Sequence, residues 1–221
     1  MKYFLYFTIF ILGACIISFL KVIAHDYPQI DVTRRSHCDY CGRILRWYEI
    51  IPIVGYFIIN GKCLSCKNQI EFWHPFWEFT GGLIFLSMIH FGDFIYLPLF
   101  IGLVVLAFTD AYYGYIYPAT YLIIFPTLFF TPLHILNALL TYLFLLLISR
   151  KYAFGLGDIE ILAILSLILG LKMMLWILMI ACLLCIISFL LNKKRSFRFI
   201  PYIAVATGFV YLILSFNILT I

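Results

Sequence analysis

Ten acidic side chains are spread over 221 residues, and only four lie beyond residue 78: Asp93, Asp110, Asp158 and Glu160. Each sits in or beside an apolar run, where an ionisable group is costly and therefore a candidate for function. Asp158 stands in "FGLGDIE", behind Gly155 and Gly157, and Asp110 stands in "FTDAYYGYIYP". Two carboxylates that can meet and share one proton are the equipment of an aspartic protease. One takes a proton from a water while the other donates to the scissile carbonyl. Asp158 also reads as an ordinary helix N-cap, and Asp110 as a turn former. Asp93, in "HFGDF", reads as a solvated turn.

The second group with chemistry is sulfur. Cys38 and Cys41 ("CDYC") precede Cys63 and Cys66 ("CLSC") with 21 residues between the pairs. Two C-x2-C pairs supply the four thiolates of a tetrahedral zinc site, closed and so structural. Two disulfides are the rival pairing, disfavoured in a reducing cytoplasm. Cys15, Cys182 and Cys185 lie within apolar runs and read as small buried hydrophobes.

The elements that must position these groups are membrane helices. The chain is 65% hydrophobic and 11% charged, with mean hydropathy +1.09, against about 25% charged residues in a soluble domain. A first apolar run occupies residues 3–20, without a small-x-small cleavage site behind it, and reads as a retained helix. Residues 21–78 hold 6 of the 10 acids, 7 of the 15 bases and both cysteine pairs. Seven further apolar runs follow at about 79–91, 94–109, 117–131, 133–149, 158–171, 173–191 and 199–220. The expected architecture is an all-α polytopic membrane protein of about eight transmembrane helices. Residues 1–20 form the first helix, 21–78 a cytoplasmic four-cysteine zinc-binding insert, and 79–221 a seven-helix domain carrying the aspartates.

Charge sets the orientation. With the N-terminus outside, loops 21–78, 110–116, 150–157 and 192–198 lie inside and contain 13 of the 15 basic residues, leaving Lys2 and Lys172 outside. Asp110 and Asp158 then share one face of the bilayer. The net charge of +5 is accounted for by these short loops, so no nucleic-acid partner is expected.

These residues resemble the type IV prepilin peptidases, the GxGD membrane aspartic proteases of pilus, type II secretion and competence systems. "FGLGDIE" is similar to the GxGD block and "FTDAYYGYIYP" to the block of the other catalytic aspartate. Residues 36–82 resemble the cytoplasmic four-cysteine insert, keeping Leu45, Trp47, Glu49, Pro52, Gly61, Pro75 and Glu78. "FIPYIAVATG", residues 199–208, resembles the terminal motif. The resemblance implies an aspartic endopeptidase in the cytoplasmic membrane of a bacterium, with Asp110 and Asp158 catalytic. It implies prepilin or pseudopilin precursors as partners, cut after a short basic leader. It also implies, in many members, N-methylation of the new amino terminus with S-adenosylmethionine, although the chain has no Rossmann fingerprint. Two positions depart from the pattern. Glu160 stands where lysine is common, and "YIYPAT" keeps only the Ile-x-Pro outline.

Gly155 and Gly157 would leave room for a substrate backbone beside Asp158. Glu160, two residues on, would meet the leader's bases or point away toward headgroups. A polytopic ion-coupled transporter or channel is the alternative from another class. Acids at one interface and the lack of an internal repeat count against it. A scaffold with a zinc knuckle and purely capping aspartates is a third.

Overall fold

The computed structural model describes the chain except residues 1, 28, 30, 32, 152–154, 193–197 and 219–221, and gives only the backbone of 192 and 216–218. Among the described residues there are helices and two isolated β-bridges but no strand. The helices are α1 (Lys2–Asp26), α2 (Trp47–Ile50), α3 (Val54–Ile58), α4 (Trp73–Phe91), α5 (Leu97–Tyr113), α6 (Tyr121–Phe130), α7 (Ile135–Ser149), α8 (Leu156–Leu169), α9 (Leu171–Asn192) and α10 (Ile200–Ile218). Three helical stretches are long and apolar enough to cross a bilayer: Lys2–Asp26, Phe94–Tyr113 and Leu171–Leu191. Two compact units divide at residues 92 and 93.

The first unit is an antiparallel helix pair with the cysteine region between its arms. α1 continues past the apolar run to Asp26, so Lys21 is helical, with Nζ 3.1 Å from His74 Nε2. At the other end Tyr6 Oη lies 3.2 Å from His90 Nδ1. Between these ends the helices touch through glycine. A Cβ on Gly13 would strike Phe85, one on Gly81 would strike Ile17, and one on Gly82 would strike Phe10. Small residues at the crossing are how helices gain dispersion contact where lipid removes the hydrophobic drive. α4 therefore groups with α1, although its apolarity alone groups it with the later helices. It also starts at Trp73, ahead of the run expected from 79.

In the second unit α5 packs on α6 and α10, α8 packs on α7 and α9, and α9 packs on α10. α5 and α8 are the interior helices: Leu99, Leu103, Leu106, Ile161, Leu162 and Leu165 are all almost fully buried. Polar contacts join the outer helices to them and to each other. Thr141 Oγ1 donates to Ser166 Oγ (3.2 Å), and Tyr202 Oη to Ser188 Oγ (2.8 Å). Asp93 is tied rather than merely solvated, accepting from Tyr211 Oη at 3.0 Å. α9 presents Leu175, Trp176, Met179, Leu183, Ile186, Leu190 and Leu191 at the surface. So continuous an apolar face asks for hydrocarbon, not water. Cys15 and Cys182 are exposed, correcting their expected burial. Pro126 lies inside α6 without ending it, and the helix closes at Phe130.

Candidate active site and metal centre

Asp110 closes the last turn of α5. The helix stops at Gly114, whose φ of 74° is the left-handed C-cap conformation that favours glycine, and its N–H donates to Asp110 O at 2.9 Å. Asp110 is only 8% exposed, and its Oδ2 is buried with no hydrogen-bond partner among the described residues. Such an atom costs free energy unless the site has a use for it. The guanidinium of Arg198, ahead of α10, lies beside Gly114, and its charge acts on Asp110.

Asp158 lies in the first turn of α8. The N-cap is Gly155, in extended conformation, so Asp158 is not spent on capping. Helical side chains lean toward the N-terminus, and Asp158 Oδ2 accordingly comes to 3.0 Å from the point a Gly155 Cβ would occupy. Among the described residues Gly155 meets nothing else there, whereas a Cβ on Gly157 would collide with Ile116. The loop that follows Asp110 is thus seated on the glycine that precedes Asp158. The charge of Asp110 acts directly on Asp158. Two carboxylates 48 positions apart in sequence, from the two buried helices, are thereby brought into one neighbourhood.

Glu160 is exposed, as expected, but it is not loose. Tyr121 Oη donates to Glu160 Oε2 at 2.7 Å, and the charges of both Glu160 and Asp158 act on Tyr121. Tyr121, Ile116 and Arg198 are the residues that reading the sequence misses. Tyr121 and Ile116 carry no signal beyond an aromatic and aliphatic stretch. Arg198 is absorbed into the charge bias of its loop.

The first unit holds the sulfur site. The ligand atoms of Cys38, Cys41, Cys63 and Cys66 all lie within 4.8 Å of one another. Cys38 and Cys66 are 3.8 Å apart, and Cys41 and Cys63 are 3.9 Å apart. A disulfide needs about 2.05 Å, whereas Zn–S bonds of about 2.3 Å give a tetrahedral edge of about 3.8 Å. The set therefore has the size of a zinc tetrahedron.

The two cysteine pairs are built alike. Gly42 N donates to Cys38 O and Cys38 N to Arg43 O, both at 2.9 Å. Lys67 N donates to Cys63 O and Cys63 N to Asn68 O, both at 3.0 Å. Gly42 has φ 68°, and Lys67, its counterpart, has φ 60°. Bridges His37–Ile44 and Lys62–Gln69 close the two turns.

The N–H groups of Cys66 and Ser65 aim at the Cys63 sulfur and hold its thiol down to about 6. The Asn68 N–H works the same way on Cys66. Burial and the sulfurs of Cys63, Cys41 and Cys38 outweigh it and push that thiol up to about 11. Four sulfurs this close ionise together only around a cation.

Around this site the insert is pinned by carboxylates. Glu49, its side chain 1% exposed, accepts from Arg43 Nη2 and from Arg46 N, both at 2.6 Å. Burial disfavours its charge, but these donors win and hold its carboxyl below the usual range. Glu78 accepts the N–H of Ile53 at 2.6 Å. Ile53, with φ 63° and ψ −59°, centres a tight turn closed by Val54 N donating to Pro52 O at 2.6 Å. That conformation is rare and strained for a β-branched residue.

Residues 11–91 match the bacterial peptidase A24 N-terminal domain, and residues 97–190 match the type IV leader peptidase family. The division between the matches falls where the two units divide. Among curated relatives, a prepilin leader peptidase/N-methyltransferase of Bacillus subtilis is 30% identical over 95% of this chain and 96% of its own length. Proteins of the same name from Myxococcus xanthus and Vibrio cholerae are 37% and 36% identical over shorter stretches, 36% and 21% of this chain. In those two matches the chain spans 24% and 18% of the relative's length. No solved structure matches. The end-to-end likeness to the Bacillus protein, with both units matched in order, means that the chain belongs to the type IV leader peptidase family, a family of peptidases.

Proposed function

We propose that this protein is a membrane-embedded aspartic endopeptidase that removes the basic leader of type IV prepilin or pseudopilin precursors. The observation that supports this reading is the seating of the loop after Asp110 on Gly157, next to Asp158, with Asp110 Oδ2 buried and, among the described residues, unpartnered. One carboxylate takes a proton from water as its oxygen bonds to the scissile carbonyl carbon. The other donates its proton to the carbonyl oxygen. The tetrahedral centre then collapses, the C–N bond breaks, and the amine leaves with a proton returned from the dyad. Gly155, open above Asp158, leaves the approach for the substrate strand. Gly157 supports the geometry differently, by seating Ile116.

The eight helices of ten residues or more become eight spans, with the N-terminus outside and the dyad at the cytoplasmic face of the bacterial plasma membrane. The distribution of Lys and Arg supports this orientation. Cys38, Cys41, Cys63 and Cys66 would hold a structural Zn2+, which cross-links the two knuckles. The relatives' names favour a second activity, N-methylation of the new amino terminus with S-adenosylmethionine as methyl donor. One assay addresses both. Purified protein in proteoliposomes is incubated with a prepilin precursor, and the N-terminal mass of the product is measured. Asp110→Asn and Asp158→Asn should each lower cleavage at least 10³-fold while the protein still inserts. Cleavage by either variant near the wild-type rate would overturn the dyad.

A further inference from the structure

Glu160 is the acid near the dyad that the reaction does not use. It lies two residues beyond Asp158 on α8, which is about 3 Å further along the axis and some 200° around it. On an isolated helix the two side chains would diverge. Here the half-buried Tyr121, from the start of α6, holds Glu160 Oε2 at 2.7 Å, and the charges of both acids act on its hydroxyl. Glu160 is thereby held in one orientation, in the N-terminal part of α8 that also carries Asp158. Among the described residues no cation forms an ion pair with it.

An exposed glutamate normally samples many rotamers. Fixing one costs conformational entropy that a lone surface charge does not recover. A fixed, unpaired carboxylate beside a peptide-cutting centre is a preorganised acceptor for a cationic side chain.

We infer that Glu160, oriented by Tyr121, binds a lysine or arginine side chain of the precursor on the leader side of the scissile bond, and that this contact sets the chain's charge preference. The inference rests on the dyad reading for the position of the cut. Residues 158 and 160 are about 3 Å apart along the axis of α8, and an extended strand covers about 3.3 Å per residue. A base within the first few residues before the cut is therefore the one tested. Tyr121 is a positioning residue and touches no reacting atom.

The experiment uses the full-length protein in proteoliposomes with two synthetic prepilin precursors, identical except for Lys or Glu at the second and third residues before the cut. The readout is the ratio of kcat/KM for the two. The wild type should favour the Lys precursor about tenfold, mainly through KM. Glu160→Gln should bring the ratio near 1, and Glu160→Lys should invert it. Tyr121→Phe should reduce the ratio severalfold, whereas a purely structural role would slow both precursors equally. A ratio that stays constant across wild type, Glu160→Gln and Glu160→Lys overturns the inference. The Asp110→Asn and Asp158→Asn variants report on the dyad independently, because their loss falls on both precursors alike.

Discussion

Gly157→Ala tests whether the glycine beside Asp158 serves packing or substrate. An ideal Cβ there would overlap Ile116 Cδ1 outright and come within 3.1 Å of Cγ1. Carbon pairs settle at about 3.5–4.0 Å, so the Ile116 tip must retreat by roughly 1–2 Å. A rotamer change or a shift of the loop accomplishes that, at about 1–3 kcal/mol for overpacking. Helix propensity returns up to about 1 kcal/mol for replacing glycine with alanine. Net stability should fall by no more than about 2 kcal/mol, and the protein should still insert. Activity should fall further, because the loop leads from Asp110 and about 1 Å of misplacement can cost on the order of 10²-fold. The assay is cleavage of a prepilin precursor in proteoliposomes, beside thermal unfolding of the same preparations. Ile116→Ala added to Gly157→Ala should restore most of the lost activity, since it removes the colliding atoms. Failure of the double variant to recover while its melting temperature does would refute the packing argument. It would return Gly157 to the role of making room for the substrate backbone.

Lys67→Gly should stabilise the second cysteine knuckle by about 1 kcal/mol, because a left-handed conformation that strains lysine is free to glycine. The check is slower reaction of the four thiols with a thiol reagent in the presence of a zinc chelator, with Gly42→Ala moving in the opposite direction. Glu49→Gln should destabilise the insert by about 2 kcal/mol by weakening the bonds to Arg43 and the Arg46 N–H. Glu49 is held below its ordinary value of 4.5, so its contribution is complete above that pH and fades as pH falls through the folded value. Limited proteolysis should show wild type and Glu49→Gln diverging at pH 7 and converging only as pH falls well below 4.5, through the lowered folded value.

Asp110 and Asp158 stand out in the sequence as candidates because an acid in an apolar run has few ordinary uses. The cysteines were legible because x2 spacing is a property of one turn, and Cys38–Gly42 and Cys63–Lys67 both form that turn locally. What stayed hidden depends on contacts between distant segments. Helical period alone sends Glu160 out to a free surface, but the hydroxyl of Tyr121, 39 residues away, holds it. Gly157 looked like space for a substrate until Ile116 filled that space. The ends of α1 and α4 were misjudged for a related reason. Apolarity reports where hydrocarbon can lie, whereas Lys21 meeting His74 extends the pair of helices beyond it. The grouping of α4 with α1 rests on Gly13, Gly81 and Gly82, whose meaning appears only once the partner helix is known.

That glycine-lined crossing has a consequence for biosynthesis. The ribosome must make residues 27–72 after α1 is complete and before α4 begins. At about 5–20 residues per second this takes roughly 2–9 s. During that interval the narrow face of α1 at Gly13 has no α4 to meet. The cysteine knuckles, whose hydrogen bonds are local, have time to form while the nascent chain is still growing, and would take up the proposed Zn2+ then. α4 then arrives already tethered at its start, and docking becomes an intramolecular search over a short, folded connection. Metal supply during translation would set the yield of correctly paired helices, apart from any effect it has on the finished enzyme.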